Sequence, residues 1–280
     1  MDKPTSMTSR QAGWRVAQFF RQKKFGHVGT LDPMATGLIV IALGEATKMI
    51  PFLPNIYKEY EFALKWGIET DTGDITGNII NQEEGPPRFI NIDNLKKLTG
   101  EIYQIPPRYS AIHINGRRAY EFARAGQAID MQPRKVHIFD LEHCGVTNNI
   151  FRVKCGPGTY VRSIAQDIGR LAGHINTVAM IRRIATNGFD IKDAITLELL
   201  ENNRYNADVL AKYLLTPDFG LDDIPVAKLD MGNAELFQNG GAIRTKDETI
   251  GLRRVYSKDK FIGMGMNESY LLSPKRIIKN

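Results

Sequence analysis

Cysteine is scarce in this 280-residue sequence, which contains only Cys144 and Cys155. Two cysteines provide neither a disulfide framework nor a plausible zinc site. We therefore expect no bound metal and a reducing, cytoplasmic location.

Long apolar runs are also absent. The longest spans the six residues from Leu38 to Leu43, whereas a membrane helix needs about 20. Behind Met1 no apolar stretch follows a basic one, so we expect no secretory signal. The sequence therefore excludes a helical membrane protein.

Basic residues are in excess, and they are unevenly distributed. The net charge is +6 and the pI is about 9.2, with +4 in residues 1–60, +5 in residues 240–280 and −3 in residues 61–100. Such clustering is typical of a surface that follows a phosphate backbone. Charge alone leaves a second interpretation open, a mildly basic protein with solvated lysines.

Hydrophobic periodicity indicates helices mixed irregularly with strands. A capping box precedes an amphipathic helix predicted over residues 9–24, and period-two alternation predicts a half-buried strand from Tyr60 to Trp66. The run Leu38–Leu43 is typical of a buried strand, and Val161 begins a helical stripe. Because no βαβ unit repeats, we predict an α+β fold with a mixed, mainly antiparallel sheet flanked by helices.

Turn signals divide the rest of the chain. We predict a helix over 91–99 with Asn91 as its cap, a turn at Asn115-Gly116, and strands joined at Thr147-Asn148-Asn149. A linker-like segment ends at Gly220, and after it the sequence pattern predicts short strands separated by turns. We predict a catalytic domain over residues 1–220 and a small β-rich domain over 224–280.

The densest cluster of chemically informative residues runs from Gly26 to Gly37. Its glycines permit tight turns and close approach of a ligand, and Pro33 restricts Asp32 to an extended conformation. An isolated Asp-Pro pair more often caps a turn than carries chemistry.

The whole string Gly-His-Val-Gly-Thr-Leu-Asp-Pro-Met-Ala-Thr-Gly resembles the catalytic loop of TruB-type tRNA pseudouridine synthases, which modify uridine-55 in the TΨC arm. The resemblance extends over nearly the whole chain. Its further motifs are Gly44-Glu45-Ala46-Thr47-Lys48, Lys58-x-Tyr60, Thr70-Asp71-Thr72-Gly73-Asp74, Pro106-Pro107-x-Tyr109-Ser110-Ala111, Gly158-Thr159-Tyr160-Val161-Arg162 and Arg182-Arg183.

This resemblance implies a cofactor-free isomerase with Asp32 as its nucleophile. A carboxylate can attack the sugar carbon C1′ or assist departure of the base by a glycal route, and the sequence does not choose between them. Arg162 is implied as the cation that keeps Asp32 ionised. Tyr60 is implied in base stacking and proton relay, and Tyr160 in closing the uracil pocket.

The family also implies that the target uridine is flipped out, with His27 filling the space left behind. Phosphate or pocket contacts are implied for Lys48, Arg182 and Arg183. For Asp74 two roles stay open, orienting a nucleotide edge or capping a turn. The implied partner is the tRNA TΨC stem-loop, bound by a monomer without a membrane or an obligate protein partner. Residues 108–134 resemble an RNA-binding insertion, and 224–280 resemble a PUA-like β-barrel.

One departure lies at the N-terminus, where the family's first strand is expected to be shortened or absent. Two other functions stay open. One is a non-catalytic RNA-binding protein on a synthase scaffold. The other is a carboxylate-dependent nucleosidase or glycosidase, although no motif places the second carboxylate that such enzymes need.

Overall fold

The computed structural model describes residues 1–85, 92–114, 116–145 and 149–279. The predicted cap Asn91 and the predicted turn residues Asn115, Thr147 and Asn148 lie outside these ranges.

Strands and helices are numbered here in chain order. The strands are β1 (Asp2–Lys3), β2 (Phe25–Val28), β3 (Thr36–Leu38), β4 (Val40–Leu43), β5 (Lys58–Trp66), β6 (Ile68–Thr70), β7 (Ile79–Gln82), β8 (Gly100–Gln104), β9 (His113–Ile114), β10 (Arg117–Arg118), β11 (Arg134–His143), β12 (Ile150–Cys155), β13 (Asn176–Thr186), β14 (Phe189–Asp190), β15 (Val226–Leu229), β16 (Ile243–Arg244), β17 (Gly251–Ser257), β18 (Lys260–Glu268) and β19 (Leu271–Ile277). The α-helices are α1 (Ser9–Phe19), α2 (Ile92–Leu95), α3 (Ala119–Arg124), α4 (Val161–Ala172), α5 (Leu197–Asn202), α6 (Ala207–Ala211) and α7 (Met231–Gln238), with 3₁₀ turns at Gly44–Phe52, Lys96–Leu98 and Ile191–Asp193.

One large sheet organises the first 220 residues. Its strand order is β1-β3-β13-β5-β12-β11-β8, and β14 pairs with β13. Within this sheet β13 and β3 run parallel, and the other described pairs are antiparallel. The predicted α+β fold with a mainly antiparallel sheet is confirmed.

The core lies between this sheet and α4. Strand β5 alternates as predicted, with Tyr60, Phe62 and Leu64 buried. They pack with Ile164 and Ile168 of α4 in the main hydrophobic cluster. Because α4 begins directly after Tyr160, this packing brings the start of α4 close to the sheet.

The apolar run from Leu38 to Leu43 is not one strand, as the sequence predicted. It divides into β3, which joins the large sheet, and β4, which pairs with β2. The chain changes sheets at Ile39, which is fully buried and donates its N–H to the carbonyl of Met1 at 2.8 Å. The first strand, β1, is present but only two residues long.

Helix α1 ends at Phe19, earlier than the predicted residue 24. Arg21 adopts a left-handed φ of 51°, and the N–H of Gln22 bonds to the carbonyl of Ala17 at 2.9 Å. This C-terminal cap satisfies the last turn without glycine. Gly26 lies in β2.

The C-terminal segment forms a five-stranded sheet in the order β15-β17-β18-β19-β16, which packs on α7. A second apolar cluster joins this segment to the 3₁₀ turn at Gly44–Phe52 through Met49, Leu221 and Met264. Such a sheet is consistent with half of a β-barrel. No helix in the described ranges is long and apolar enough to cross a membrane.

Replacing Gly37 by alanine is expected to lower the free energy of unfolding by roughly 2–5 kcal/mol. Gly37 has a φ of +100°, and an added Cβ would lie 2.3 Å from the backbone oxygen of Arg183. The β3–β13 pairing must therefore open to admit the methyl group.

Urea denaturation of Gly37→Ala beside Gly188→Ala measures this effect. Gly188 has a φ of +85° but open space around its Cβ position, so the control carries the backbone strain without the clash. Equal losses in the two variants would contradict the prediction.

Candidate active site

The loop that carries Asp32 joins β2 to β3 and is anchored on α1. The hydroxyl of Ser9 accepts the N–H of Leu31 at 2.8 Å and lies 3.1 Å from its carbonyl oxygen. The N–H of Ala35 bonds to the carbonyl of Asp32 at 3.1 Å. Because Leu31 is also buried in the core, the backbone on both sides of Asp32 is held in place.

Asp32 forms an ion pair with Arg162 in which only the carboxylate is accessible. Nη2 of Arg162 lies 2.8 Å from Oδ2 of Asp32, and the side chains are 4% and 38% exposed respectively. Arg162 also donates to the carbonyls of Thr72 at 2.8 Å and Tyr109 at 3.0 Å. A guanidinium bound on several sides holds the carboxylate in one position.

Tyr60 lies beside Arg183 beneath this pair. The two residues are opposite each other in the β5–β13 register, and the Arg183 guanidinium contacts the Tyr60 phenol. Burial raises the pKa of Tyr60 to about 12, while the positive charge of Arg183 opposes the increase. At neutral pH the phenol is therefore a hydrogen-bond donor rather than an anion.

Tyr160 and His27 lie around the same loop. The backbone of Tyr160 exchanges two hydrogen bonds with the Gln104 amide, at 2.8 and 3.1 Å. Burial raises the pKa of the Tyr160 phenol, and the charges of both Arg162 and Asp32 also act on it. His27 lies with Nε2 3.3 Å from the Thr30 hydroxyl, and burial, followed by the charge of Arg183, lowers its pKa.

The arrangement is an accessible carboxylate surrounded by a buried cation, two phenols and an imidazole. It suits attack on an electrophilic carbon followed by proton transfer. Within the described ranges, no group of three or more His, Cys, Asp or Glu side chains is placed to hold a metal ion.

Comparisons with known proteins agree with the chemistry that this site suits. Residues 17–161 match the model of the TruB family pseudouridylate synthase N-terminal domain. The chain belongs to the TruB family of pseudouridylate synthases. The prediction of a pseudouridine synthase, an isomerase, is confirmed.

Full-length relatives support the TruB assignment beyond that domain. The tRNA pseudouridine synthase B of Aromatoleum aromaticum is 38% identical over 285 residues, covering 99% of this chain and 91% of the relative. The tRNA pseudouridine synthase B of Bradyrhizobium diazoefficiens is 41% identical over 251 residues, with coverages of 87% and 73%.

Among solved structures, the fold resembles one chain of a Cbf5–Nop10–Gar1 complex, with a TM-score of 0.69 and 19% identity over 99% of this chain and 83% of that one. A chain of an H/ACA RNP bound to a substrate RNA containing 2′-deoxyuridine gives a TM-score of 0.70 and 18% identity, with coverages of 100% and 84%. These two structures support the fold alone.

Asp74 lies behind the ion pair of this TruB-family site. It is buried, and its Oδ2 is 3.9 Å from Nη1 of Arg162. Its Oδ1 accepts the N–H of Thr76 at 3.0 Å and the hydroxyl of Thr72 at 3.1 Å. Asp74 therefore orders its own turn and adds negative charge beneath Arg162.

Lys48 and Arg182 lie away from Asp32. The ammonium of Lys48 bonds to Glu45 at 2.5 Å and to the carbonyl of Ile277 at 2.8 Å, which links it to the C-terminal sheet. Arg182 forms an ion pair with Asp2 at 2.6 Å. Their implied contacts with RNA remain predictions.

Arg183 is fully buried, and it joins the two ends of the Asp32 loop. Nε donates to the carbonyl of Leu38 at 2.7 Å, and Nη2 donates to the carbonyl of Gly29 at 2.9 Å. Its Nη1 has no hydrogen-bond partner of good geometry among the described residues. Successive residues of a strand point to opposite faces, so Arg182 and Arg183 have different environments.

Sequence reasoning missed Lys3, which is also completely buried. Its ammonium donates to the carbonyls of Pro4 at 2.8 Å, Met7 at 2.7 Å and Pro33 at 3.3 Å. Burial lowers the pKa of Lys3 to about 8, and the charge of Asp32 opposes this. A lysine next to a proline near the chain end gave no sequence signal of burial.

Arg183→Lys is expected to lower the free energy of unfolding by roughly 2–4 kcal/mol, because one ammonium cannot reproduce the planar fork and leaves a buried carbonyl unpaired. Arg182→Lys is the matched control, since its partly exposed ion pair contributes only about 0–1 kcal/mol. Thermal and urea denaturation compare them. A loss of stability for Arg183→Lys no larger than that for Arg182→Lys would show that Arg183 does not stabilise the fold by joining the two ends of the Asp32 loop.

Proposed function

We propose that this enzyme converts uridine-55 in the TΨC arm of tRNA to pseudouridine without a cofactor, with Asp32 as the nucleophile. The observation that carries the proposal is the accessible Asp32 carboxylate, held 2.8 Å from the buried Arg162 guanidinium. The tRNA substrate is supported by the names of the relatives, which are tRNA pseudouridine synthases B.

The reaction begins with loss of the C1′–N1 bond of the target nucleotide. Asp32 either takes the place of the base on C1′ or assists formation of a glycal, and both routes require its anion. The uracil then turns and forms the C5–C1′ bond. On the first route this breaks the bond between Asp32 and C1′ and frees the carboxylate, and on the second route C2′ regains the proton that Asp32 had removed to form the glycal. The C5 proton leaves and N1 gains a proton, so the product is an isomer of the substrate.

Side chains around Asp32 have separate tasks in this proposal. Tyr60 stacks on the uracil and relays the C5 proton, and Tyr160 closes the uracil pocket. The uridine must leave its stack to reach a recessed carboxylate. His27, at the outer edge of the loop, fills the space left in the RNA, and its lowered pKa keeps the ring neutral near pH 7.

Binding of the rest of the tRNA is assigned to two segments. The insertion at 108–134 contains the β9–β10 hairpin and α3, and the arginines Arg117 and Arg124 lie over the rings of Phe122 and Tyr120. The segment 224–280 is proposed as a PUA-like RNA-binding domain, separate from the catalytic domain of residues 1–220. We further propose a cytoplasmic monomer without an obligate protein partner.

Position-resolved mapping of pseudouridine in unmodified tRNA treated with the purified protein tests this function. We expect one new pseudouridine, at position 55, formed equally well in the presence of a metal chelator. Free uracil or an abasic site would instead indicate a hydrolase, and tight tRNA binding without any product would indicate a non-catalytic RNA-binding protein.

Tyr60→Phe is expected to slow pseudouridine formation by roughly 10²–10⁴-fold, the usual contribution of a proton-transfer group. Because the pKa of Tyr60 is raised to about 12 by burial, the wild-type phenol stays protonated well above the pKa of an ordinary tyrosine. The ratio of the two rates is therefore expected to be constant from about pH 6 to about pH 10.

Single-turnover release of tritium from C5 of labelled uridine measures both rates. A ratio that falls ten-fold per pH unit within that range would show that the protonated phenol of Tyr60 is lost by ionisation there, against the prediction.

A further inference from the structure

Helix α1 and the turn after it form a strongly basic surface. Between Asp2 and Asp32 the sequence contains six lysines and arginines and no acidic residue. Lys3 is buried, and the other five are exposed. These five are Arg10, Arg15, Arg21, Lys23 and Lys24. Within the part of the chain that the structure describes, none of the five forms an ion pair with a carboxylate.

Cations on the outer face of the large sheet are arranged differently. There Arg152 lies 2.6 Å from Glu61, Lys154 lies 3.2 Å from Glu59, and Lys135 lies 2.8 Å from Glu101. That face neutralises its own charge across neighbouring strands. The α1 surface does not, so it presents a field that attracts a polyanion.

Two exposed aromatic residues lie within the same surface. Trp14 is 54% exposed and Tyr205, after α5, is 92% exposed. Together with Arg15, Arg21 and Arg204 they line an open groove of about 590 Å³. Its single described carboxylate, Glu201, lies 3.5 Å from Arg204, whose guanidinium also covers the Tyr205 ring. Exposed aromatic faces among cations are typical of surfaces on which unpaired bases stack.

Helix α1 begins beside the Asp32 loop. Ser9, the first residue of α1, holds Leu31 beside Asp32, and the 11 residues of the helix extend roughly 16 Å from there. RNA with one nucleotide at Asp32 therefore has further phosphates within reach of this surface.

We propose that the α1 surface, comprising Arg10, Trp14, Arg15, Arg21, Lys23, Lys24, Arg204 and Tyr205, binds substrate RNA outside the catalytic cleft. The cations contact backbone phosphates, and Trp14 and Tyr205 stack on a base that is not paired. This inference rests on the proposed RNA substrate. It adds a binding surface separate from residues 108–134 and 224–280.

A charge-matched pair of triple variants tests the proposal. The first is Arg15→Gln, Arg21→Gln, Lys24→Gln on the α1 surface, and the control is Lys135→Gln, Arg152→Gln, Lys154→Gln on the sheet face. Both remove three positive charges. Binding of fluorescent unmodified tRNA is measured over a range of salt concentrations, and thermal denaturation checks that each variant is folded.

The α1 variant is expected to bind tRNA on the order of ten-fold more weakly, with a slope of log K against log salt shallower by about 2. The sheet control is expected to keep the wild-type slope. Trp14→Ala, which changes no charge, is expected to weaken binding on the order of ten-fold with the slope unchanged. The rate of pseudouridine formation at saturating tRNA is expected to stay at the wild-type value in all three variants.

Equal effects of the two triple variants would mean that net charge alone matters and would overturn the proposal. Unchanged tRNA binding in the α1 variant would also overturn it and would favour a protein as the occupant. Binding is measured separately from turnover, so the two proposals can fail independently. If tRNA binds through the α1 surface but is never modified, the proposed function is contradicted and this inference still holds.

Discussion

Asp32→Asn is expected to abolish pseudouridine formation, with a rate loss on the order of 10⁴-fold or more. The amide has nearly the shape of the carboxylate but neither its charge nor its nucleophilicity. It can still accept a hydrogen bond from Arg162, so the loop that Ser9 anchors keeps its position.

Binding of tRNA by Asp32→Asn is expected to stay within a few-fold of wild type, because affinity for RNA comes mainly from phosphate contacts made elsewhere. Single-turnover tritium release and filter binding measure the two quantities separately. Asp71→Asn is the matched control and should retain activity, since Asp71 is a partly exposed aspartate that accepts the N–H of Asn78 at 2.9 Å. A loss of binding as large as the loss of rate would remove Asp32 from the chemistry.

Arg162→Met is expected to have the second largest effect, a rate loss on the order of 10³-fold, equivalent to roughly 4 kcal/mol. The methionine fills much of the volume but leaves the carbonyls of Thr72 and Tyr109 without their donor. It also leaves Asp32 and Asp74 facing each other without the cation between them. The Asp32 carboxylate then loses the partner that holds it in position.

The fold should also be weakened, by roughly 3–5 kcal/mol, since one member of a buried ionic network is removed. Arg170→Met on the same helix is the control, because Arg170 is 72% exposed and pairs with Asp167; it should change stability by less than about 1 kcal/mol. Comparable rates for the two variants would show that Arg162 does not support the reaction.

Much of this site was predictable because local patterns carried it. Period-two alternation located β5 and therefore Tyr60 on a buried face, and the helical stripe located the start of α4 and therefore Arg162. The motif resemblance assigned chemistry to both positions. None of these patterns predicts how far apart two side chains lie. The 2.8 Å separation of Asp32 and Arg162 therefore became known only from the folded structure.

Other predictions failed where long-range pairing overrides local pattern. Six consecutive apolar residues predict one strand, but Ile39 divides them between two sheets because its N–H bonds to Met1. Arg182 and Arg183 form one motif in the sequence, yet one pairs with Asp2 at the surface and the other is enclosed beneath Tyr60. Side-chain type alone does not distinguish these two environments.

By itself, the sequence determined the family and the kind of reaction and predicted the position of the nucleophile, because the motif from Gly26 to Gly37 and the other family motifs are properties of the chain read in order. The tertiary structure alone decided which cations contact the Asp32 loop from within the core and which remain exposed on the surface. That division depends on contacts between residues more than a hundred positions apart, such as Arg183 with Gly29, and such contacts form only when the sheet and α4 close over the core.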